Sequence, residues 1–333
     1  MNSPSHSAES KEPRLVSVVI PCFNEAANIR EAIDAVAEAL EATGERYEII
    51  VVDDGSRDDS ADIVRRAAQR NPCVKPIELM RNFGQSIAYQ TGLDQSEGDY
   101  VLFFSGDLEI PTSELANTIR ALDDGYDFVN TSRKDRWGGS HALKSQLANA
   151  ILNRITGTRF ADRGSGLKGM RREVAKSIRL YGEWHRFIPD LASTLTERMT
   201  EFEVPFSERK AGVSSYRGRL KSITVFLDLI AVAFTVLSSR KPYLLLPGRL
   251  FGFTGLIIGT IGFAFTAWLS AQKIFFGETL SNRPLFLVSI LALIIGVTMA
   301  MVGLLGELIM QVHVRLDHHF GGNRLKQRST LPR

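Results

Sequence analysis

Two short segments place acidic side chains where β-branched runs stop. Pro21-Cys22-Phe23-Asn24-Glu25 follows the run Val16 to Ile20, and Asp53-Asp54-Gly55-Ser56 follows the run Tyr47 to Val52. As neighbouring strands, the two runs deliver three carboxylates, Glu25, Asp53 and Asp54, to one edge of a sheet. Carboxylates there can accept hydrogen bonds from a nucleobase N–H and from ribose hydroxyls, while the Gly55-Ser56 turn lets backbone approach a ligand. A plainer role is also open to Asp53, Asp54 and Ser56, which can cap the helix that follows. Capping accounts for one or two of them and leaves the Asn24-Glu25 pair unexplained.

The elements that must position these groups are legible as an alternation. Strands are predicted at Val16 to Ile20, Tyr47 to Val52, Val74 to Met80, Tyr100 to Phe104 and Phe128 to Thr131. Between the first two, Ile29, Ile33, Val36, Ala37 and Leu40 recur at helical spacing, and Ile63, Val64, Ala67 and Ala68 repeat the pattern after the turn-and-cap segment DDGSRDDS. Alternating strands and helices imply an α/β class with a parallel sheet covered on both faces. From Arg133 to Gly218 the pattern is less regular and richer in Arg, Gly and Ser, as suits a lobe closing over the carboxyl ends of the strands.

A chain of 333 residues, 44% hydrophobic and 23% charged, can bury one sizeable α/β core and still carry an appendage. The net charge of +3 hides an asymmetry. Leu250 to Gln272 and Pro284 to Gly306 are charge-free, 23 residues each. At about 1.5 Å per residue each reaches roughly 34 Å, enough to cross a hydrocarbon core of about 30 Å. Arg240, Lys241 and Arg249 precede the first stretch and Arg315, Arg324, Lys326 and Arg328 follow the second, which sets both termini in the cytoplasm and points to a membrane rather than to nucleic acid. Ile223 to Leu237 is apolar but interrupted by Asp228, which suits a helix lying in the interface better than a third span. The expected organisation is a flexible leader over 1–14 without a secretory signal, a catalytic domain over 15–220, an interfacial region over 221–247, two transmembrane helices within 248–310 and a basic tail over 311–333. Two spans alone bury little surface in a bilayer, which favours a homo-oligomer. Cys22 and Cys73 fit no metal pattern and read as reduced core thiols.

Taken together, PCFNE, VVDDGSRDDS, Arg81-Asn82-Phe83-Gly84, Ser105-Gly106-Asp107-Leu108-Glu109, Ser165-Gly166 and the paired C-terminal spans resemble the family 2 glycosyltransferases, and within them the branch that acts on polyprenyl phosphates. The resemblance implies a nucleotide-binding α/β domain of the glycosyltransferase A type, a nucleotide-sugar donor (UDP- over GDP-), a polyprenyl phosphate acceptor, a Mg²⁺ or Mn²⁺ ion and a place in the bacterial inner membrane with the catalytic domain cytoplasmic. Carried over by position, Pro21, Phe23, Glu25 and Asp54, with Asp53 beside them, hold the base and ribose. Arg81, Asn82, Gly84 and Gln85 lie near the diphosphate, where Gln85 stands in place of a Lys common in relatives. Asp162, Ser165 and Gly166 match a family turn; Arg209 and Ser214, with Arg219 nearby, match a phosphate-binding stretch in which Ser215 replaces a common Lys. The metal segment usually reads Asp-Ala-Asp-Leu-Gln, whereas here Ser105 replaces the first aspartate and Glu109 the glutamine. One carboxylate is lost and one gained, so Asp107 and Glu109 keep two hard anionic oxygen ligands for the cation.

Such a reaction asks little of a base, because a phosphomonoester with a second pKa of about 6 is already ionised. It needs stabilisation of the leaving diphosphate and two anions held together, which calls for a cation with arginines, Arg209 among them. Attack by the acceptor phosphate on the anomeric carbon is a single displacement with inversion. Gly164-Ser165-Gly166-Leu167-Lys168-Gly169 fits G-x-G-x-x-G letter for letter, but no buried strand precedes it, so a dinucleotide fingerprint is discounted. His185 stands as a supporting residue of the acceptor lobe. Two competing readings remain: a processive polysaccharide synthase, which lacks support because no Gln-x-x-Arg-Trp occurs, and a membrane-tethered nucleotide-sugar binder without catalysis, motivated by Ser105 and Gln85.

Overall fold

The computed structural model describes residues 13–134, 150, 152–154, 157–206, 231–237, 247–277 and 284–320. The chain divides into two compact units, Met1–Val236 and Leu237–Arg333. In the first, β1 (Leu15–Cys22), β2 (Arg46–Asp53), β3 (Val74–Glu78), β4 (Tyr100–Phe103), β5 (Phe128–Arg133), β6 (Lys168–Arg171) and β7 (Met199–Val204) form one sheet in the order β3-β2-β1-β4-β6-β5-β7. Its helices are α1 (Ile29–Glu41), α2 (Ser60–Arg70), α3 (Gln85–Gln95), α4 (Glu114–Asp123), α5 (Arg172–Ser177) and α6 (Ile188–Ala192).

Strand side chains alternate between two cores, as a period of two requires. Val16, Val18 and Ile20 of β1 pack with the α1 stripe Ile29, Ile33, Val36 and Leu40, whereas Val19 faces Ala88, Tyr89 and Leu93 of α3. Burial on both faces explains the near-continuous apolar runs of β1 and β2, and each fully buried Val, Ile or Leu contributes about 1.5–3 kcal/mol.

Three expectations are corrected. The sheet is mixed rather than parallel, because β6 runs antiparallel to both β4 and β5. β3 stops at Glu78 instead of Met80: the Leu79 amide bonds the Asp53 carbonyl (2.9 Å) and the chain then turns outward, leaving Met80 almost fully exposed. β5 continues two residues past Thr131 to Arg133, in ladder contact with β7. The G-x-G-x-x-G letters run from a loop into β6, not into a helix, as the discounted reading requires. Cys22 and Cys73 are free thiols, and burial pushes the Cys22 pKa up to about 12.

In the second unit, α7 (Pro247–Phe276) and α8 (Pro284–Phe320) pack along each other and contain both expected spans. Gly248–Phe276 and Pro284–Gly306 are long and apolar enough to cross a membrane, and only 17% and 11% of their most apolar windows are buried. So little burial does not fit the core helices of a soluble domain. The pair meets backbone to backbone: a Cβ on Gly255 would lie 2.5 Å from the Ala300 nitrogen and one on Gly262 2.5 Å from the Leu293 nitrogen. Close approach through small residues is how helices associate where no hydrophobic effect drives them. Of the expected interfacial region, 231–237 is helical, with Val232 and Val236 buried in the second core of the α/β unit; the rest lies outside the described residues.

Candidate active site

β1, β2, β4 and β5 all point their carboxyl ends at one rim, since β1 pairs in parallel with β2 and β4, and β5 is related to β4 through the antiparallel β6. Strand order reverses between β1 and β4, where open α/β sheets leave a ligand crevice. The described residues expected in the site lie on this rim, on loops joined to it or, for Gln85, at the start of α3.

On the β1–β2 side, the acidic residues organise the turns. Asn24, at φ +53°, receives the Arg57 amide on its Oδ1 (2.8 Å) and donates its own amide to Ser56 Oγ (2.9 Å). The Glu25 amide donates to Ser60 Oγ (2.9 Å), and its carboxylate accepts from Asn28 Nδ2 (2.9 Å). Asp53 accepts from both the amide and the hydroxyl of Ser56. Asp54, 3% exposed, uses its two oxygens on the amides of Phe83 (2.7 Å) and Gly84 (2.8 Å). Burial pushes the Asp54 carboxyl above its ordinary value, opposed by those two amides. Gly55, at φ +67°, lets the loop lie close, because a Cβ there would come 2.5 Å from the Arg81 carbonyl carbon. Thus the capping reading of Asp53, Asp54 and Ser56 does not hold: they build turns, and the N-cap of α2 is Asp59. The end of β2 is bonded to the loop Arg81–Gly84, where the Arg81 guanidinium stacks on Phe83 (4.5 Å) and Gln85 opens α3. Pro21 and Phe23 are half-buried at the end of β1.

On the β4–β5 side, Ser105-Gly106-Asp107-Leu108-Glu109 turns through Leu108 at φ +54°. Asp107 is buried, and its Oδ1 accepts the Glu109 amide (3.4 Å). Glu109 forms an ion pair with Nη1 of the buried Arg133 (3.0 Å). Arg133 in turn grips Asp162 through Nε (2.7 Å) and Nη2 (3.1 Å), and Nη2 also donates to the Gly164 carbonyl (2.7 Å). Ser105 packs on Gly166, where a Cβ would fall 2.7 Å from that of Ser105, and Ser165 is hydrogen-bonded to Thr131. Beneath them lies Lys168, buried, its ammonium bonded to the Ser165 carbonyl. Burial lowers its pKa to about 8, with Asp162 and Glu201 opposing and Arg133 reinforcing the fall. His185, expected in a supporting role, bonds Ser86 Oγ at the start of α3 through Nδ1 (2.9 Å).

The sequence reading missed Arg133, because it ended β5 two residues short of the rim. An arginine two residues beyond a predicted strand end is the signal that could have found it. Arg209, Ser214 and Arg219 lie outside the described residues. No cluster of three or more His, Cys, Asp or Glu is placed to hold a metal among the described residues. Asp107 and Glu109 nevertheless fit a divalent ion as a partial site: both are hard oxygen donors on one turn, and such ions fill their remaining positions from substrate phosphates and water.

A groove of about 750 Å³ between α1 and α4, lined by Ala39, Thr43, Ala116 and Arg120 among others, contains none of these residues.

Known proteins resemble the chain along most of its length. The model of glycosyl transferase family 2 matches residues 17–179. The chain is 35% identical over 311 residues to the undecaprenyl-phosphate 4-deoxy-4-formamido-L-arabinose transferase of Edwardsiella ictaluri, covering 92% of each chain. It is 33% identical to the dodecaprenyl-phosphate galacturonate synthase of Rhizobium johnstonii, covering 91% of this chain and 89% of that one. Among solved structures, glucosyl-3-phosphoglycerate synthase from Mycobacterium tuberculosis, in complex with Mn²⁺ and UDP-glucose, superposes with a TM-score of 0.52 at 18% identity, over 68% of this chain and 79% of that one. That likeness establishes the glycosyltransferase A-type fold.

Proposed function

Since the chain belongs to the family 2 glycosyltransferases, we propose that it transfers a sugar, with inversion, from a nucleotide-sugar to a polyprenyl phosphate at the cytoplasmic face of a bacterial inner membrane. The observation that carries this reading is the convergence of Glu25, Asp53, Asp54, Asp107, Glu109 and Arg133 on one sheet rim at the reversal of strand order. The relatives named above support a prenyl-phosphate acceptor, and the two exposed apolar helices support a membrane anchor. A UDP-sugar is the favoured donor, a homo-oligomer the favoured assembly, and 15–220 the catalytic domain.

In this scheme Asp54 contributes through the loop it holds, presenting the backbone of Arg81–Gly84 and the start of α3 to the donor diphosphate. Glu25 and Asp53, at the ends of β1 and β2, line the side that receives the nucleoside. Asp107 and Glu109 would hold Mg²⁺ or Mn²⁺. When bound, that ion neutralises charge building on the leaving diphosphate. Arg133, at the other end of the crevice, is neutralised by Asp162 and Glu109 and serves to position the Asp107–Glu109 turn. The acceptor phosphate attacks without a general base, being ionised already. Arg209, Ser214 and Arg219 complete the acceptor side in this proposal.

The test incubates purified full-length protein with radiolabelled UDP- and GDP-sugars and undecaprenyl phosphate. Label in the organic phase supports the proposal. Polymer would indicate a processive synthase. Binding without transfer would indicate a nucleotide-sugar receptor, a reading motivated by Ser105 and by the pairing of Glu109 with Arg133.

A further inference from the structure

α3 carries a polar stripe beside its apolar one: Ser86, Gln90 and Asp94 stand four residues apart and share a face. The stretch between α5 and α6 runs antiparallel along this part of the helix and is bonded to it at successive levels. Lys176 Nζ donates to the carbonyls of Leu93 and Asp94. The Leu180 amide donates to Gln90 Oε1 (2.8 Å), and Gln90 Nε2 donates in turn to Asp94 Oδ1 (2.9 Å). His185 closes the seam at Ser86, where the geometry is tighter. The wholly buried Ser86 hydroxyl receives the His185 amide (3.1 Å) and lies 2.9 Å from Nδ1 of the same residue. With the amide donating into it, the hydroxyl sends its own hydrogen to Nδ1, so Nδ1 is the acceptor and the neutral ring carries its proton on Nε2. Backbone and ring of His185 are thus both tied to one oxygen. A substrate cannot reach so enclosed a hydroxyl, so the pair is not a nucleophile with its base.

Ser86 is the second residue of α3. Just before it, Asp54 holds the amides of Phe83 and Gly84, and Gly84, the N-cap, stands at φ +96° with no side chain to cap the helix. The first turn of α3 is therefore fastened through its preceding loop to the end of β2, and through Ser86 to the 3₁₀ turn Trp184–Phe187. We propose that His185 is a positioning residue of the donor side: through Ser86 it fixes the first turn of α3, the helix start that the donor diphosphate approaches. The inference rests on the reading of the rim as the donor site, and it gives His185 a role towards the donor rather than the acceptor. Backbone donors favour a diphosphate most when their direction is set before it arrives. A helix start capped by glycine leaves that direction to its neighbours. Misplacement by about 1 Å costs up to about 100-fold, so loosening one of the two fastenings should cost about tenfold.

UDP affinity by calorimetry and hydrogen exchange over peptides spanning Gly84 to Ala88, both on the full-length protein in detergent with Mn²⁺, test the role. Expected in His185→Leu and in Ser86→Ala is UDP binding about tenfold weaker with at least tenfold faster exchange at the start of α3. The double variant should be no weaker than either single one, because both cut the same bond. His185→Asn, whose Oδ1 can accept the Ser86 hydroxyl in place of Nδ1, should stay within threefold of wild type. Gln90→Leu, which cuts the seam one helical turn further on, should stay within twofold. Should His185→Leu fail to fold, Ser86→Ala, which removes a single oxygen, decides. UDP affinity within twofold of wild type in Ser86→Ala, with Asp54→Ala still weakening it, overturns the role of His185 and leaves the donor site standing. An equal loss in Gln90→Leu also overturns it, since the whole seam would then matter only for stability. If the wild type binds no UDP, the donor reading of the rim and this inference fall together.

Discussion

Replacing Asp54 should loosen one specific loop without unfolding the domain. Both Asp54 oxygens accept backbone amides, from Phe83 and Gly84, at 2.7 and 2.8 Å, in a site only 3% exposed. In Asp54→Ala two part-buried amides lose their acceptor where water can replace it, each at about 1 kcal/mol, so the local cost is about 2 kcal/mol. Domain stabilities run to about 5–15 kcal/mol, so the fold survives while the loop opens. Asp54→Asn is the informative companion. Its amide nitrogen faces one of the two donors, which loses a bond, yet the neutral group escapes the burial that holds the carboxyl pKa high. The two effects oppose, and a cost of about 1–2 kcal/mol is expected. Hydrogen exchange read by mass spectrometry on the full-length protein, over peptides spanning Leu79 to Ser86, gives the answer directly. A loss of about 2 kcal/mol accelerates exchange there by roughly 30-fold, with β1 and β4 unaffected. Donor KM should rise in the same order, Ala above Asn above wild type. Wild-type protection at Phe83 and Gly84 in Asp54→Ala would refute the assignment of this carboxylate as the strut of the loop.

Arg163 and Asp190 form a second buried pair, with contacts of 2.8–3.0 Å and Asp190 wholly enclosed; Arg163→Ala should cost about 3–5 kcal/mol by stranding the carboxylate, seen as a fall in thermal midpoint that Arg163→Ala/Asp190→Asn partly recovers. Lys168 is charged in the fold only below about pH 8, against 10.5 ordinarily, so the unfolded chain binds the extra proton between those values and stability rises with pH across that window. Lys168→Met should remove a rise of about 3 kcal/mol between pH 8 and 10.5, measured by denaturant unfolding; an identical pH profile in the variant would show that the ammonium is solvated. In the helix pair, Gly255→Leu or Gly262→Leu drives a side chain into the facing backbone and should separate α7 from α8, lowering disulfide yield between cysteines introduced at facing positions, whereas Leu256→Ala, on an exposed face, should not.

The strands that carry the rim were legible because burial on both faces writes itself as unbroken apolar runs, as in Val16 to Ile20 and Ile49 to Val52. The stripe of α1 was legible for the same reason: Ile29, Ile33, Val36, Ala37 and Leu40 are all buried. β6 and β7 were not. Lys168-Gly-Met-Arg carries a cation, Lys168, into the buried part of a sheet, and only the tertiary network of Asp162, Glu201 and the Ser165 carbonyl makes that burial tolerable. Within Met199 to Val204 only Glu201 to Val204 alternates charge and hydrophobe, at an edge, a pattern that local propensity reads as ambiguous. Within the site, residue types at strand ends located Glu25, Asp53, Asp54, Asp107 and Glu109, but not what each touches. That Asp54 would spend both oxygens on a loop 29 and 30 residues further on depends on the positive φ of Gly55 and the close passage of Arg81. Arg133 escaped notice because its role comes from Glu109 and Asp162, one 24 residues before it and the other 29 after.

The central claim is that the rim formed by the ends of β1, β2, β4 and β5 receives the donor. A structure of the full-length protein with a UDP-sugar and Mn²⁺, using the anomalous signal of manganese, tests it most directly. Expected are the nucleotide on the rim beside the joined Asp53–Ser56 turn and Arg81–Gly84 loop and the manganese beside Asp107. A nucleotide lodged in the α1–α4 groove or on another face, with the rim clear and manganese remote from Asp107, would contradict the claim.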